Sequence, residues 1–335
     1  MIIPFFIPHA GCPHQCVFCN QKNIIGQNLP EDVAAIPYKI NRYLSMRDSS
    51  GPAQIAFYGG SFTALPLEEQ KACIEAVRPF IQAGHIQNIR LSTRPDSISS
   101  EILSLLKEHH VAIIELGAQS MDDNVLARSG RGHTADDTRR AVRLLREQQF
   151  TIGLQIMPGL PGDSPERFQE TVDRVIALKP HFVRLYPALV IKGTPLEHLY
   201  RSGRYAPLEI DEAVALCCDA VVKFELAGID VIRIGLQPTE ELERPGTILA
   251  GPYHPAFRQL VDSSIFLDKM RAALKERPPL NDTAVFSVNP RDVSTAIGQR
   301  RENMKTLLKE FGLENISIVE DPNVGRKSEP KLLTT

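Results

Sequence analysis

Cys12, Cys16 and Cys19 put three thiols within eight residues of a 335-residue chain that holds six cysteines. Thiolates clustered this tightly hold metal, and the spacing leaves two chemistries open. A zinc ion would take the three sulfurs and a fourth ligand, for which His9 and His14 are at hand. An iron–sulfur cube would be held at three irons and would leave the fourth open to a ligand from outside the chain. The first site is closed and structural, and the second has a working position. The other cysteines read as core. Cys73 shares helical spacing with Val77, Phe80 and Ile81, Cys217 shares it with Val214, Val221 and Phe224, and Cys218 has no partner motif.

Short β-rich runs alternate with helical patterns along the chain. Strands are expected near Ile2–Pro8, Gln54–Tyr58, Ile89–Thr93, Val111–Ala118, Thr151–Met157, Phe182–Tyr186 and Val231–Leu236. Helices are expected near Glu31–Leu44, Leu67–Ala83, Ser97–Glu108, Ala135–Gln148, Ser164–Leu178 and Glu209–Leu226. Repeated strand–helix–strand units mean a parallel α/β sheet, doubly wound or curled into a barrel. The cysteines fall directly after the first strand, where a loop can offer them to whatever the sheet encloses.

Side-chain alternation favours the curled form. Arg90, Ser92 and Arg94 share one strand face, as do Glu115, Gly117 and Gln119, then Thr151, Gly153 and Gln155, and then Arg233, Gly235 and Gln237. Arg184 and Tyr186 are set against Phe182. A sheet covered by helices on both faces reads as apolar nearly throughout. One polar, glycine-containing face in strand after strand implies a concave side that lines a cavity.

The pattern changes near Pro238. The expected division is a core over 1–237 and a C-terminal extension over 238–335. That extension comprises an irregular connection to Pro255, a helix near His254–Leu274, a small β-α-β unit (Thr283–Val288, Val293–Phe311, Ile316–Val319) and a frayed tail from Asp321. With 43% hydrophobic residues, 23% charged residues and a net charge of −2, the composition supports a full core and gives no global basic field for nucleic acid. Candidate RNA contacts at Arg128, Arg131, Arg139, Arg140, Arg143 and Arg146 also read as a solvated helix face, partly neutralised by Asp136, Asp137 and Glu147. No apolar run reaches the ~20 residues of a membrane span, and the N-terminus reads as neither signal peptide nor anchor. A cytoplasmic address is the expectation.

Further motifs follow the triad in order: Tyr58-Gly59-Gly60-Ser61-Phe62, Leu91-Ser92-Thr93-Arg94-Pro95-Asp96, Leu116-Gly117-Ala118-Gln119-Ser120, Gly130-Arg131-Gly132-His133-Thr134 and Met157-Pro158-Gly159-Leu160-Pro161-Gly162. In this order, over about residues 1–237, the chain resembles the radical S-adenosylmethionine (SAM) superfamily. The resemblance implies a partial (β/α)6 barrel with a 4Fe–4S cluster on Cys12, Cys16 and Cys19, whose open iron chelates S-adenosylmethionine. An electron from a reductant such as flavodoxin or ferredoxin would cleave the sulfonium, and the 5′-deoxyadenosyl radical would take a substrate hydrogen.

Carried over by position, Phe18 would lie near the adenine, with Gly159 and Gly162 turning the chain beside it. Gly59 and Gly60 would meet the methionine amine, Arg131 the carboxylate, Gln119 the cofactor and Gln155 the ribose. Ser92 stands where many relatives carry a glutamate, and a hydroxyl anchors more weakly. Arg94, Glu115, Arg184, Tyr186 and Arg233 are the expected substrate-facing residues of the lumen.

Within the superfamily, Ser92–Asp96, Gly130–Thr134 and Arg184–Thr194 resemble the radical subunit of Elongator, which modifies wobble uridine in tRNA, and Leu236-Gln237-Pro238 on through His254-Pro255 resembles the C-terminal extension of bacterial Elongator-like radical proteins. The cysteine spacing is tighter here, and too little chain follows Pro238 for that family's acetyltransferase domain. The oxygen-independent coproporphyrinogen oxidases are the alternative, but Gln21 and Phe6 stand where they carry a cysteine and a tyrosine. A zinc-bound, non-catalytic RNA-binding or scaffold protein is the alternative from another class.

Overall fold

The computed structural model describes residues 1–21, 24, 32–46, 51–279 and 281–333. The parallel strands follow one another across a single sheet: β1 (Ile2–Phe6), β2 (Ala53–Tyr58), β3 (Ile86–Thr93), β4 (Val111–Gln119), β5 (Thr151–Ile156), β6 (Phe182–Leu185) and, after a two-residue strand β7 (Val190–Ile191), β8 (Asp230–Ile234). Sequential order with helical crossovers curls the sheet one way, and it forms a half-barrel. The crossovers are α1 (Ile36–Ser45), α2 (Leu67–Gln82), α3 (Ser100–Glu108), α4 (Asp123–Arg128), α5 (Ala135–Glu147), α6 (Pro165–Ala177), α7 (Pro195–Arg201) and α8 (Ile210–Leu226).

Local chemistry sets where these helices begin. Thr134 and Asp137 form a reciprocal capping box on α5, while Ser164 caps α6 and Thr194 caps α7, each followed by proline at the first helical position. α5 and α6 bury Val142, Leu145, Phe168, Val172 and Val175, and β4 and β5 bury Ile114, Leu116, Ile152 and Leu154 on the strand face opposite the polar rows. The expected helix at Glu31–Leu44 is a 3-10 turn at Val33–Ala35 followed by α1, and Glu31 lies outside the described residues.

Register rows decide which side chains meet on the concave face, because partners in a parallel pair point the same way. Ser92, Glu115, Gly153 and Phe182 form one row, and Gln155, Arg184 and Arg233 form the next. Phe182 therefore lies on the polar side, not opposite it. Its position two residues before Arg184 fixes the face, and its ring occupies the space a Cβ on Gly153 would need, 2.3 Å from that point.

The irregular connection carries a third short element. β9 (Ile248–Ala250) pairs antiparallel with β7. One compact unit holds residues Met1–Ala213 and Ala220–Tyr253, and a second holds Val214–Asp219 and His254–Thr335.

In the second unit α9 (Phe257–Glu276) packs with β10 (Thr283–Val288), α10 (Val293–Ile297), α11 (Glu302–Phe311) and β11 (Asn315–Glu320) around Phe266, Met270, Phe286 and Leu307. The helix expected over Val293–Phe311 is broken. Gly298 at φ +76°, then Arg300 and Arg301 at positive φ, interrupt it, and the Asn303 amide fills the break by donating to the carbonyls of Ala296 and Ser263. The tail expected to fray ends in β12 (Lys331–Leu333), antiparallel to β10.

Candidate functional site

The cysteine loop is laced to the end of β2. The His9 amide donates to the Gly59 carbonyl, the Ser61 amide to the Ala10 carbonyl and the Ile7 amide to the Tyr58 carbonyl. The approach is close because Gly60 lacks a side chain. A Cβ there would sit 2.4 Å from the Ile7 carbonyl oxygen and 2.5 Å from that of Ala10. Gly59 takes φ +90°, a turn that other residues resist.

Cys12 lies exposed at the head of the loop, Cys16 is buried and Cys19 is half-buried. Burial, then the neighbouring Cys16, pushes the Cys19 thiol up to about 12, so metal must displace a proton to bind it. Of the two histidines considered as a fourth zinc ligand, His9 has its Nε2 engaged. His9 accepts from the Gln21 amide through Nε2 at 3.0 Å, and the His14 ring covers Gly132, leaving a Cβ there only 2.3 Å. Among the described residues no three His, Cys, Asp or Glu side chains are placed to hold one ion, the cysteine triad included.

Arg131 is buried beside this loop. Its Nη1 donates to Cys16 Sγ at 3.0 Å and its Nη2 to the Gly117 carbonyl at 2.5 Å, while Nε has no partner. Next to it His133 is pushed down to about 4 by burial, then by Arg131 and Arg94, so it is neutral at pH 7 and donates from Nε2 to the Ala118 carbonyl. Gln119 ends β4 at φ +66°, and its Oε1 is buried with no partner. Ser92 Oγ is likewise buried without a partner. These orphaned atoms, beside a guanidinium and three thiols, suit a polar ligand carrying an amine, a carboxylate and hydroxyls. The residues present therefore fit the cofactor that the motifs imply.

On the far side of the site Phe18 packs against Leu160, Val125 and Ala188, which joins the last cysteine turn to the Met157–Gly162 loop. That loop is held by Asp163, which accepts from the amides of Gly159 and Ser164 at 3.0 Å each, and by the Tyr205 hydroxyl on the Gly159 carbonyl at 2.6 Å. Burial pushes the Asp163 carboxyl up to about 6. A raised folded-state value means that its contribution to stability is present below about pH 4 and is lost as pH rises through 6. The unfolding free energy of the wild type relative to D163N should therefore fall between pH 4 and 7, by at most about 3 kcal/mol. Urea titrations across that range check this, and a flat difference would remove the loop's titrating anchor.

The concave face carries an ion network centred on Glu115, which is fully buried. Arg90 reaches Oε1 at 2.6 Å, Arg184 Nε reaches Oε2 at 2.6 Å, and Gln155 Nε2 lies 3.5 Å from Oε2. Burial, then Glu115, holds the Tyr58 phenol protonated, and it donates to Oε1 at 3.1 Å. Arg90 also lies over the Phe182 ring, 5.5 Å from its centre, which closes the floor of the lumen.

The expected lumen residues thus divide. Glu115, Arg184 and Tyr186 come together, and Arg233 stands next to Arg184 in register. Arg94 does not join them. Its guanidinium is forked on Asp96 and donates to the Arg131 carbonyl, so it braces the Gly130–Gly132 turn. Of the arginines named as RNA contacts, Arg139, Arg140 and Arg143 pair with Asp136, Asp137 and Glu147 on the exposed side of α5, and Arg131 is buried. Tyr58 and Arg90 were not singled out as site residues. Their strand parity with Glu115 was a usable signal, but which distant residues would pair with Glu115 was not.

The sequence profile of the radical SAM superfamily matches residues 6–175, and that of the radical SAM C-terminal domain matches residues 180–266. The chain belongs to the radical SAM superfamily of enzymes. An uncharacterised protein of Methanocaldococcus jannaschii is 30% identical over 62% of this chain and 67% of its own length. A tRNA uridine(34) acetyltransferase of Methanocaldococcus infernus is 26% identical over 61% of this chain, a match that spans 46% of that relative. In structure the chain is similar to Methanocaldococcus infernus Elp3, with a TM-score of 0.63 and 20% identity over 81% of this chain and 63% of that one, a likeness of fold. Among the described residues no helix is long and apolar enough to cross a membrane.

Proposed function

We propose that this chain holds a 4Fe–4S cluster on Cys12, Cys16 and Cys19, binds S-adenosylmethionine beside it, and removes a hydrogen atom from a substrate, with uridine in tRNA as the substrate class. The observation that carries the reading is the cysteine loop pinned across Gly60, with Arg131 donating to Cys16 Sγ beside the unpartnered Gln119 Oε1. When bound, the pair of groups supplies one-electron cleavage of the sulfonium and with it the power to abstract hydrogen.

The chain's own work is placement. Arg131, beside a neutral His133 and an Arg94 already paired with Asp96, would meet the methionine carboxylate. Gly59 and Gly60 would admit the amine, and Gln119 and Ser92 would accept from amine or hydroxyl. Gly159 and Phe18 would border the adenine, and Gln155 the ribose. The relatives that modify tRNA support the substrate class. A reductant such as flavodoxin or ferredoxin and a cytoplasmic address go with a reduced thiol triad.

Anaerobic reconstitution with iron and sulfide tests the reading. The protein should turn brown by thiolate-to-iron charge transfer. With dithionite it should form 5′-deoxyadenosine slowly alone and faster with bulk tRNA. Oxygen-free protein holding one divalent ion and no sulfide would end the proposal. Unchanged rates with tRNA would remove the substrate class alone.

A further inference from the structure

The concave face holds more positive charge than it neutralises. Arg90 and Arg184 meet at Glu115, Arg233 is the register partner of Arg184, and among the described residues Glu115 is the single carboxylate bonded to this set. Arg184 is largely committed: Nη2 donates to Glu115 Oε1 and to the Tyr58 hydroxyl, Nη1 donates to the Tyr186 hydroxyl, the buried Nε lies 2.6 Å from Glu115 Oε2 as an ion pair without hydrogen-bond alignment, and the guanidinium lies 5.6 Å from the centre of the Tyr58 ring.

Two donors remain. Arg233 donates through Nε to the Gly235 carbonyl at 3.0 Å, which bends the side chain toward the strand end and leaves both Nη groups without an acceptor among the described residues. Tyr186 accepts from Arg184, so its own O–H is free to donate. Both side chains are partly exposed and both adjoin Arg184, Tyr186 through its hydroxyl at 3.2 Å and Arg233 as its register partner. A guanidinium fork with a phenol beside it, over an excess of positive charge, matches the lone pairs of an oxyanion.

We propose that Arg233 and Tyr186 form an oxyanion subsite on the concave face, with Arg184 as a positioning residue, so that the substrate enters carrying a phosphate or carboxylate group. The inference deepens the proposed function, resting on it for the word substrate, but anion binding is measurable on the full chain with or without a cluster.

Calorimetric titration with inorganic phosphate and with acetate, at low ionic strength, is the test. R233Q should weaken binding at least about tenfold and Y186F about threefold, as expected for losing a charged and a neutral donor. R78Q, on the exposed side of α2, should change nothing. R184Q should weaken binding, with R184K restoring part of it if charge alone were needed and none if the Tyr58–Tyr186 fork is what counts. Tighter phosphate than acetate assigns a phosphoester substrate, and the reverse assigns a carboxylate. Equal binding by wild type and R233Q, no binding by wild type, or a loss in R131Q with R233Q unaffected would overturn the subsite, the last because the anion would then sit at the cofactor edge. A colourless protein that still shows the R233Q effect would overturn the radical chemistry and leave the subsite standing.

Discussion

Glu115→Gln should cost the fold about 3–5 kcal/mol, the range for breaking a buried ion pair by removing one partner. The carboxylate is fully buried and serves two guanidinia, Arg90 at 2.6 Å and Arg184 at 2.6 Å, whose own side chains are 7% and 16% exposed. Glutamine keeps the volume and one acceptor, so the loss reports charge and not a cavity. Two cations would then share a low-dielectric trough with no anion between them. Chemical denaturation measures the effect, and the double variant E115Q/R90M should recover part of it, because one uncompensated cation is gone and its replacement packs on Phe182. A loss below about 1 kcal/mol, the range of exposed pairs, would show that water screens this cluster.

Gly60→Ala should cost less in stability but strike the site directly, and for a steric reason. The new Cβ would lie 2.4 Å and 2.5 Å from two backbone carbonyl oxygens, and backbone cannot swing aside as the tip of a flexible side chain can. Overpacking of this kind costs about 1–3 kcal/mol, and relief requires residues 7–11 to lift off the end of β2. Cys12 travels with that loop. After anaerobic reconstitution the iron content of G60A should fall below about a tenth of the wild-type value, whereas G51A, with open space at its Cβ, should load normally. Full loading of G60A would show that the loop seats its thiols without help from β2.

The strands were readable because their chemistry is local. Alternation at Ile89–Thr93 or Val111–Ala118 needs no knowledge of neighbours, and the curled sheet follows from polar residues recurring on one face. The same rule, misapplied at Phe182, put an aromatic on the wrong side, since a large apolar residue invites assignment to the core whatever its parity. The short elements were less legible. β7 and β9 span two and three residues and exist through their pairing with each other, while β12 depends on β10, about forty residues upstream. In the C-terminal unit a helical pattern over Val293–Phe311 survived in composition, but Gly298 supplied a stop that the pattern overrode.

The site divides along the same line. Residues fixed by motif, such as Cys12, Gly60 and Arg131, could be named from order alone. The partners of Glu115 could not, because Tyr58, Arg90 and Arg184 come from three separate strands and meet only when the sheet bends. Arg94 shows the converse. It lies on the expected face, yet Asp96, two residues on, captures its guanidinium before it can reach the trough.

Gln119 shows what this arrangement concedes. A left-handed backbone costs a residue with a side chain about 1–2 kcal/mol, and a buried amide oxygen without a donor adds to it. A lineage selected for durability alone would settle on glycine there and become hardier. If Gln119 meets the cofactor as proposed, glutamine at the tip of β4 trades robustness for chemical competence. Efforts to toughen this enzyme by consensus or glycine replacement should leave that one position untouched.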